Sequence, residues 1–170
     1  CLFNVRNGSF RCPGTQQGYS PFSTWTRGLA WVILGYAEQI EFLSGLPAEE
    51  LAPFGGRQAV LAMCLRAARA AADFHLANTA ADGIPYWDTG APGLAALGDW
   101  RARPADPFND HEPVDSSAAA IAAQGLIRLG RHLAVLGHAA EGGRYLRAGL
   151  TTVATLLENT LQAAEMHAQQ

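Results

Sequence analysis

The chain has 170 residues, of which 49% are hydrophobic and 16% are charged, with a formal net charge of −3. This size and apolar fraction are sufficient for one folded domain with a core and exclude a disordered chain. The slightly negative charge excludes the basic patch of a nucleic-acid-binding protein. Polar residues or glycine interrupt every apolar stretch before it reaches bilayer length, so we expect neither nucleic acid nor a membrane as a partner.

The first predicted helix follows a polar loop, and no segment of the chain shows a convincing strand pattern. Ser23 or Thr24 is the expected N-cap of this helix, and Gly45 is its expected end. Its apolar residues occupy more than one helical stripe, which predicts burial on most sides.

A second helix is predicted from about residue 57 to residue 78, after a connection that contains Pro47 and Pro53. A connection this short predicts that the first two helices run antiparallel. The long segment 79–114 follows, and its prolines and glycines forbid regular helix. Since it carries Tyr86, Trp87 and Trp100, we expect it to be ordered and functional.

Two further helices follow this loop. Asp115 is the expected N-cap of the third helix, which runs to about Leu136, with Gly137 marking its end. The fourth helix is predicted from about Ala139 to Met166.

The order of helix, helix, long loop, helix, helix predicts an all-α protein built from helical hairpins of a barrel or solenoid. No repeated sequence motif supports a repeat architecture. A four-helix bundle is the alternative, but it does not explain the long aromatic loop.

The densest group of candidate ligand-binding residues lies around the start of the first helix: Gln17, Trp25, Arg27 and Trp31. Arg27 and Trp31 are four residues apart and share a helix face. A guanidinium group suits a carboxylate, and indole rings suit the apolar faces of a sugar. The group therefore predicts a pocket for an anionic sugar, whereas the alternative is that the tryptophans are core residues and Arg27 is a structural ion-pair partner.

A second candidate group lies on the long loop, where Trp87, Asp88 and His111 are potential ligand contacts. Asp115 is better interpreted as a helix cap, while the pattern leaves the roles of Asp88 and His111 open. The histidines on helices and the three cysteines lack metal-ligand spacing, so we expect no metal site. The chain also shows no phosphate loop, no nucleophile elbow and no confident pair of carboxyl groups for sugar hydrolysis.

Three blocks of the chain, 17–31, 85–88 and 115–123, resemble the unsaturated glucuronyl hydrolases of glycoside hydrolase family 88, in that family's order. The resemblance implies that residues 1–170 are an internal fragment of one catalytic domain with an (α/α)6 barrel fold. It implies that the substrate is an oligosaccharide left by a polysaccharide lyase, with an unsaturated uronic acid at its non-reducing end. An aspartic acid would protonate one carbon of the ring double bond and help water attack the other, without a cofactor or metal, and the product would rearrange to release the sugar.

Carried over by position, the resemblance implies substrate contacts at Gln17, Trp25, Arg27 and Trp31. Leu29 departs from the Gln that is common in the family. The catalytic aspartates would lie before residue 1, and a late aromatic segment that closes the barrel would follow residue 170. The remainder of the barrel is therefore an expected partner of this segment.

Other interpretations remain. The related unsaturated rhamnogalacturonyl hydrolases of family 105 share the implied architecture and mechanism. A helical-barrel epimerase, an inverting glycosidase and a non-catalytic helical interaction module are further alternatives. The sequence does not distinguish a cytoplasmic from a periplasmic location.

Overall fold

The computed structural model describes residues 1–168, with side chains as far as Asn159. All four predicted helices are present. They are α1 (Thr26–Gly45), α2 (Gly56–Ala77), α3 (Ser116–Val135) and α4 (Ala139–Ala168). The Asp115 cap is confirmed, because its side chain accepts a hydrogen bond from the backbone amide of Ala118 at 2.8 Å.

The expectation that no strand would form is wrong at the beginning of the chain. Strands β1 (Leu2–Phe3) and β2 (Phe10–Cys12) pair antiparallel. The turn between them contains Asn7 and Gly8, and Gly8 has a φ of 68°. Since Asn-Gly is a strong hairpin-turn signal, the sequence did contain this information.

The predicted N-cap of α1 at Ser23 or Thr24 is also wrong, because the helix begins at Thr26 and Trp25 is its cap without a capping side-chain bond. The backbone amide of Thr26 instead donates to the carbonyl of Trp87 at 3.0 Å. Its hydroxyl donates to the carbonyl of Tyr86 at 2.8 Å. The long loop thus binds the amide and the side chain of the first helical residue, where no side-chain cap is present.

The connecting segments contain short 3₁₀ helices at Ala48–Phe54, Pro92–Leu97 and Trp100–Ala102. The loop 79–114 folds around its own apolar cluster, as its aromatic content predicts. In that cluster, the rings of Tyr86 and Trp100 meet edge to face at 5.3 Å between centroids. The loop can therefore hold the start of α1 in a fixed position.

The main core lies between the helices, where α1 packs against both α2 and α3, and α3 packs against α4. Close approach of α1 and α3 depends on Gly125, because a Cβ atom there would lie only 2.7 Å from the backbone nitrogen of Leu34. The side chains that fill this core are fully buried: Ile33, Ile40, Leu126, Leu129, Leu133 and Tyr145.

One face of α1 contradicts the prediction of burial on most sides. Trp31 is 55% exposed, Val32 is 44% exposed and Phe42 is 62% exposed. The physical reason is that α2 and α3 cover only two sides of the helix, and the third side has no neighbour among the described residues. Within the described helices, none combines the length and hydrophobicity needed to cross a bilayer.

Candidate functional site

Three backbone segments meet at the start of α1 and set the position of the candidate site. Residues 24–26 pair with the run 86–89, and that run pairs in turn with residues 113–115. The amide of Thr89 donates to the carbonyl of Thr24 at 3.0 Å, and the amide of Trp87 donates to that of Pro113 at 3.1 Å. These bonds bring the first turns of α1 and α3 together, although the two helices are far apart in the chain.

Arg27 and Asp115 form an ion pair at this junction. Asp115 Oδ2 accepts from Arg27 Nε at 3.0 Å and lies 3.0 Å from Arg27 Nη2. The Arg27 side chain is 45% exposed, whereas that of Asp115 is 4% exposed. The pair therefore presents a guanidinium group to solvent while its carboxylate partner is buried. The alternative that Arg27 is an ion-pair partner is thus confirmed, but sequence reasoning assigned only the cap to Asp115 and did not identify it as that partner.

Trp25 lies beside that guanidinium group and also lines a cleft with Gln17. The guanidinium carbon of Arg27 is 5.6 Å from the centroid of the Trp25 ring. Trp25 and Gln17 line one open cleft of about 510 Å³, together with residues of the first strand and of the segment 14–16. Gln17 and Trp25 thus share this cleft, while Arg27 contacts Trp25 and does not itself line the cleft.

Trp31 lies apart from this cleft. It lines a shallow depression of about 220 Å³ with Val32, Gly35, Tyr36 and Gln39 on the outer face of α1. The described residues do not join this depression to the cleft at Trp25. The four predicted contacts thus do not form one enclosed pocket within the described part of the chain.

Asp88 is fully buried and holds the backbone around the cleft. Its Oδ2 accepts from the amide of Tyr19 at 2.9 Å, and its Oδ1 accepts from that of Gly90 at 2.9 Å. A Cβ atom on Gly18 would lie 3.0 Å from Asp88 Oδ2 and 3.2 Å from Trp25 Cβ, so Gly18 lets the Gln17 segment approach closely. Because both oxygens are engaged and buried, Asp88 supports the cleft instead of facing a ligand.

The two other loop candidates differ in their surroundings. Trp87 is half-buried, and its Nε1 donates to Glu112 Oε2 at 2.7 Å. Glu112 is 8% exposed and also accepts from the amide of Gly93 at 2.7 Å, so it orients the Trp87 ring. His111 is exposed, and its backbone amide donates to Asn109 Oδ1. No pattern in the sequence pointed to the role of Glu112.

His75 lies in a different place, at the end of α2, where it lines a separate cavity of about 220 Å³. It is 2% exposed, and burial lowers the pKa of its imidazole to about 4. Burial also lowers the pKa of His132. Among the described residues, no group of three or more His, Cys, Asp or Glu side chains could hold a metal ion.

Known proteins with similar sequences are unsaturated glucuronyl hydrolases. No protein-family profile matches the chain. Over 157 residues, the chain is 32% identical to the enzyme of Bacillus sp. (strain GL1), an alignment that covers 91% of this chain and 32% of the relative. Over 133 residues, it is 29% identical to the enzyme of Formosa agariphila, covering 75% of this chain and 24% of the relative.

Solved structures show the same relationship in the fold. The crystal structure of the Bacillus sp. GL1 enzyme matches with a TM-score of 0.65 at 31% identity, over 92% of this chain and 33% of that one. A further structure, with the same TM-score and identity, is of an enzyme variant with dGlcA-Glc-Rha-Glc. The Streptococcus agalactiae enzyme matches at 22% identity with a TM-score of 0.58 over 92% of this chain, which supports the fold alone.

These matches confirm the predicted all-α fold with helical hairpins of an (α/α)6 barrel. The chain spans about a quarter to a third of the length of the curated relatives that it matches. By sequence and by fold, the chain is therefore similar to one part of the unsaturated glucuronyl hydrolases.

Proposed function

We propose that the complete protein containing this chain removes an unsaturated uronic acid from the non-reducing end of an oligosaccharide by hydrating the ring double bond. Protonation of one alkene carbon and addition of the hydroxyl of water to the other would give a hemiketal. Opening of this hemiketal breaks the bond to the ring oxygen and leaves a ketone and a hemiacetal at the anomeric carbon. Collapse of the hemiacetal to an aldehyde then breaks the glycosidic bond and releases the remaining sugar. The related enzyme that holds dGlcA-Glc-Rha-Glc supports this class of substrate.

The observation that carries this proposal is one open cleft lined by Gln17 and Trp25, with the guanidinium group of Arg27 over the Trp25 ring. The partly exposed guanidinium of Arg27 would hydrogen-bond an anionic or hydroxyl oxygen of the sugar. Trp25 would cover an apolar sugar face, and Gln17 would bond a hydroxyl or the carboxylate. Trp31, one turn further along α1, would extend the contact surface in the complete protein.

The proton donor would come from outside this segment. Asp88 and Asp115 lie near the cleft, but each is buried and bound to backbone amides. We propose that the catalytic aspartates lie before residue 1, in the remainder of the barrel, as the family resemblance implies. We propose that this remainder packs on the exposed face of α1 at Val32 and Phe42 and leaves Trp31, at the end of that face nearest the cleft, to the substrate.

Turnover of an unsaturated disaccharide tests the proposal, since hydration removes the ultraviolet absorbance of the conjugated ring. We expect the complete protein to abolish this absorbance and residues 1–170 alone to leave it unchanged. Losing a general acid lowers a rate by about two to four orders of magnitude. A complete protein that binds the disaccharide without turnover would support the alternative of a non-catalytic module. Robust turnover by residues 1–170 would instead place an unrecognised acid within this segment.

A further inference from the structure

The carboxylate of Asp115 serves two structural elements at once. Its Oδ1 accepts from the Ala118 amide at 2.8 Å and so caps α3. Its Oδ2 accepts from Arg27 Nε at 3.0 Å and lies 3.0 Å from Nη2. Asp115 is only 5% exposed, so it contacts α3 and Arg27 and does not itself reach a ligand in the cleft.

The Arg27 guanidinium is consequently held along one edge by Asp115 and also contacts the ring of Trp25. A guanidinium group has five N–H donors in a fixed plane. Asp115 occupies the edge formed by Nε and Nη2, and the Trp25 ring lies 5.6 Å from the guanidinium carbon. No described residue accepts a hydrogen bond from Nη1, and the side chain remains 45% exposed. The Nη1 donors thus remain free for a ligand. Asp115 and Trp25 already set the orientation of the guanidinium plane.

We propose that Asp115 is a positioning residue, which fixes Arg27 so that its Nη1 donors meet the oxygens of the sugar. This inference rests on the proposed function, because it assigns the substrate to the cleft beside Arg27. A free arginine side chain has about 2 kcal/mol of rotamer entropy to lose on binding, and prior orientation reduces that loss. The negative charge of Asp115 also offsets the charge of Arg27, so recognition depends on hydrogen-bond geometry more than on long-range attraction.

The substitution Asp115→Ser separates the two roles of this residue. Serine is a good N-cap and preserves the bond to Ala118, but it is too short to reach Arg27. In the complete protein, we expect Asp115→Ser to lower kcat/KM for the unsaturated disaccharide about tenfold. The same substitution made together with Arg27→Ala is expected to cause no loss beyond that of Arg27→Ala alone. We also expect KM to become more dependent on salt in Asp115→Ser, because the Arg27 charge is no longer offset.

A purely structural role for Asp115 predicts a different result, since its loss would then lower kcat/KM equally with and without Arg27. That outcome would overturn the proposal. The further variant Asp115→Ala also removes the helix cap, so it measures the additional effect of losing that cap. A crystal structure of the Asp115→Ser protein provides a readout that does not require activity. We expect the Arg27 guanidinium to leave its present orientation, and an unchanged orientation would refute positioning. If the unsubstituted complete protein showed no turnover, only the proposed function would be wrong. The crystal structure of the Asp115→Ser protein would still show whether Asp115 positions Arg27.

Discussion

Arg27 is the residue from which the charge selectivity of the site can be tested. Because its side chain is 45% exposed and paired with Asp115, we expect its contribution at the lower end of the roughly 1.5–3 kcal/mol range of charge-assisted hydrogen bonds. In the complete protein, Arg27→Ala is expected to reduce kcat/KM for a carboxylated substrate about tenfold. A neutral analogue of the same sugar is expected to lose much less. The ratio of the two kcat/KM values is the measurement.

The matched variant for this prediction is Arg27→Lys, which keeps the positive charge but loses the planar fork of donors. If the fork matters, the lysine variant retains only part of the selectivity. A lower melting temperature with an unchanged charged-to-neutral ratio would make Arg27 a structural partner of Asp115. That result would also remove the cleft's candidate anchor for a carboxylate.

His75 predicts a pH dependence of stability that is separate from the site. Its pKa is about 4 in the folded protein, below the usual 6.5, so the unfolded chain binds the proton first as the pH falls. The contribution of this residue to stability is therefore present above pH 6.5 and is lost between pH 6.5 and pH 4, by about 3 kcal/mol in total. We expect His75→Gln to show a correspondingly smaller decrease in the free energy of unfolding over this range. The exposed His111→Gln variant is the control, and identical pH profiles for His75→Gln and the unsubstituted protein would contradict the prediction.

For single residues, the sequence predicted correctly those roles that depend on residues nearby in the chain. The cap at Asp115 follows from an acidic residue immediately before a helical pattern. Its ion pair with Arg27 joins residues that are 88 positions apart, and it depends on backbone pairing that no local pattern encodes. The burial of Asp88 has the same origin, since its bond to the Tyr19 amide spans 69 positions.

At the level of secondary-structure elements, the Gly142-Gly143 pair has a role in the packing of α3 against α4. A Cβ atom on Gly142 would collide with the carbonyl oxygen of Gly130, whereas one on Gly143 would meet only the flexible end of Arg147 at 3.3 Å. We expect Gly142→Ala to destabilise the protein by about 1–3 kcal/mol through overpacking. The adjacent Gly143→Ala is expected to stabilise it by about 0.5–1 kcal/mol, because alanine favours a helix more than glycine does. Denaturant unfolding of both variants checks this, and equal effects at the two positions would contradict a close helix contact at Gly142.

The ends of the helices show which part of the fold a single sequence can predict. The bounds of α2, α3 and α4 follow from periodicity, glycine and capping signals, and the structure places most of them within one or two residues of the prediction. The start of α1 is also within two residues of the prediction, but its capping interaction was predicted wrongly, because Thr26 takes its hydrogen-bond partners from the loop at Tyr86 and Trp87. Tertiary pairing replaced the local cap there, and it also determines where Trp25 and Arg27 lie.

For the whole molecule, the face of α1 that carries Trp31 and Phe42 is the feature that the described residues leave exposed. These two residues are eleven positions apart, which is about three helical turns, and they therefore lie on the same side of the helix. Large apolar side chains at 55% and 62% exposure on one face are typical of a surface that another part of the protein covers. Since the chain spans about a quarter to a third of its relatives, the remainder of the barrel is the covering element that we propose at Phe42.

The substitution Phe42→Ser in two contexts tests this arrangement. In residues 1–170 alone, Phe42 is 62% exposed, so we expect a change in the free energy of unfolding within about 0.5 kcal/mol. In the complete protein, the same substitution is expected to cost about 2 kcal/mol, because burial of a phenylalanine side chain contributes roughly this amount. Denaturant unfolding of each pair of proteins gives the two differences, and Phe54→Ser, at a 73% exposed site on the connection between α1 and α2, is a control in the complete protein. A negligible cost of Phe42→Ser in the complete protein would show that the remainder of the chain does not pack on this face of α1.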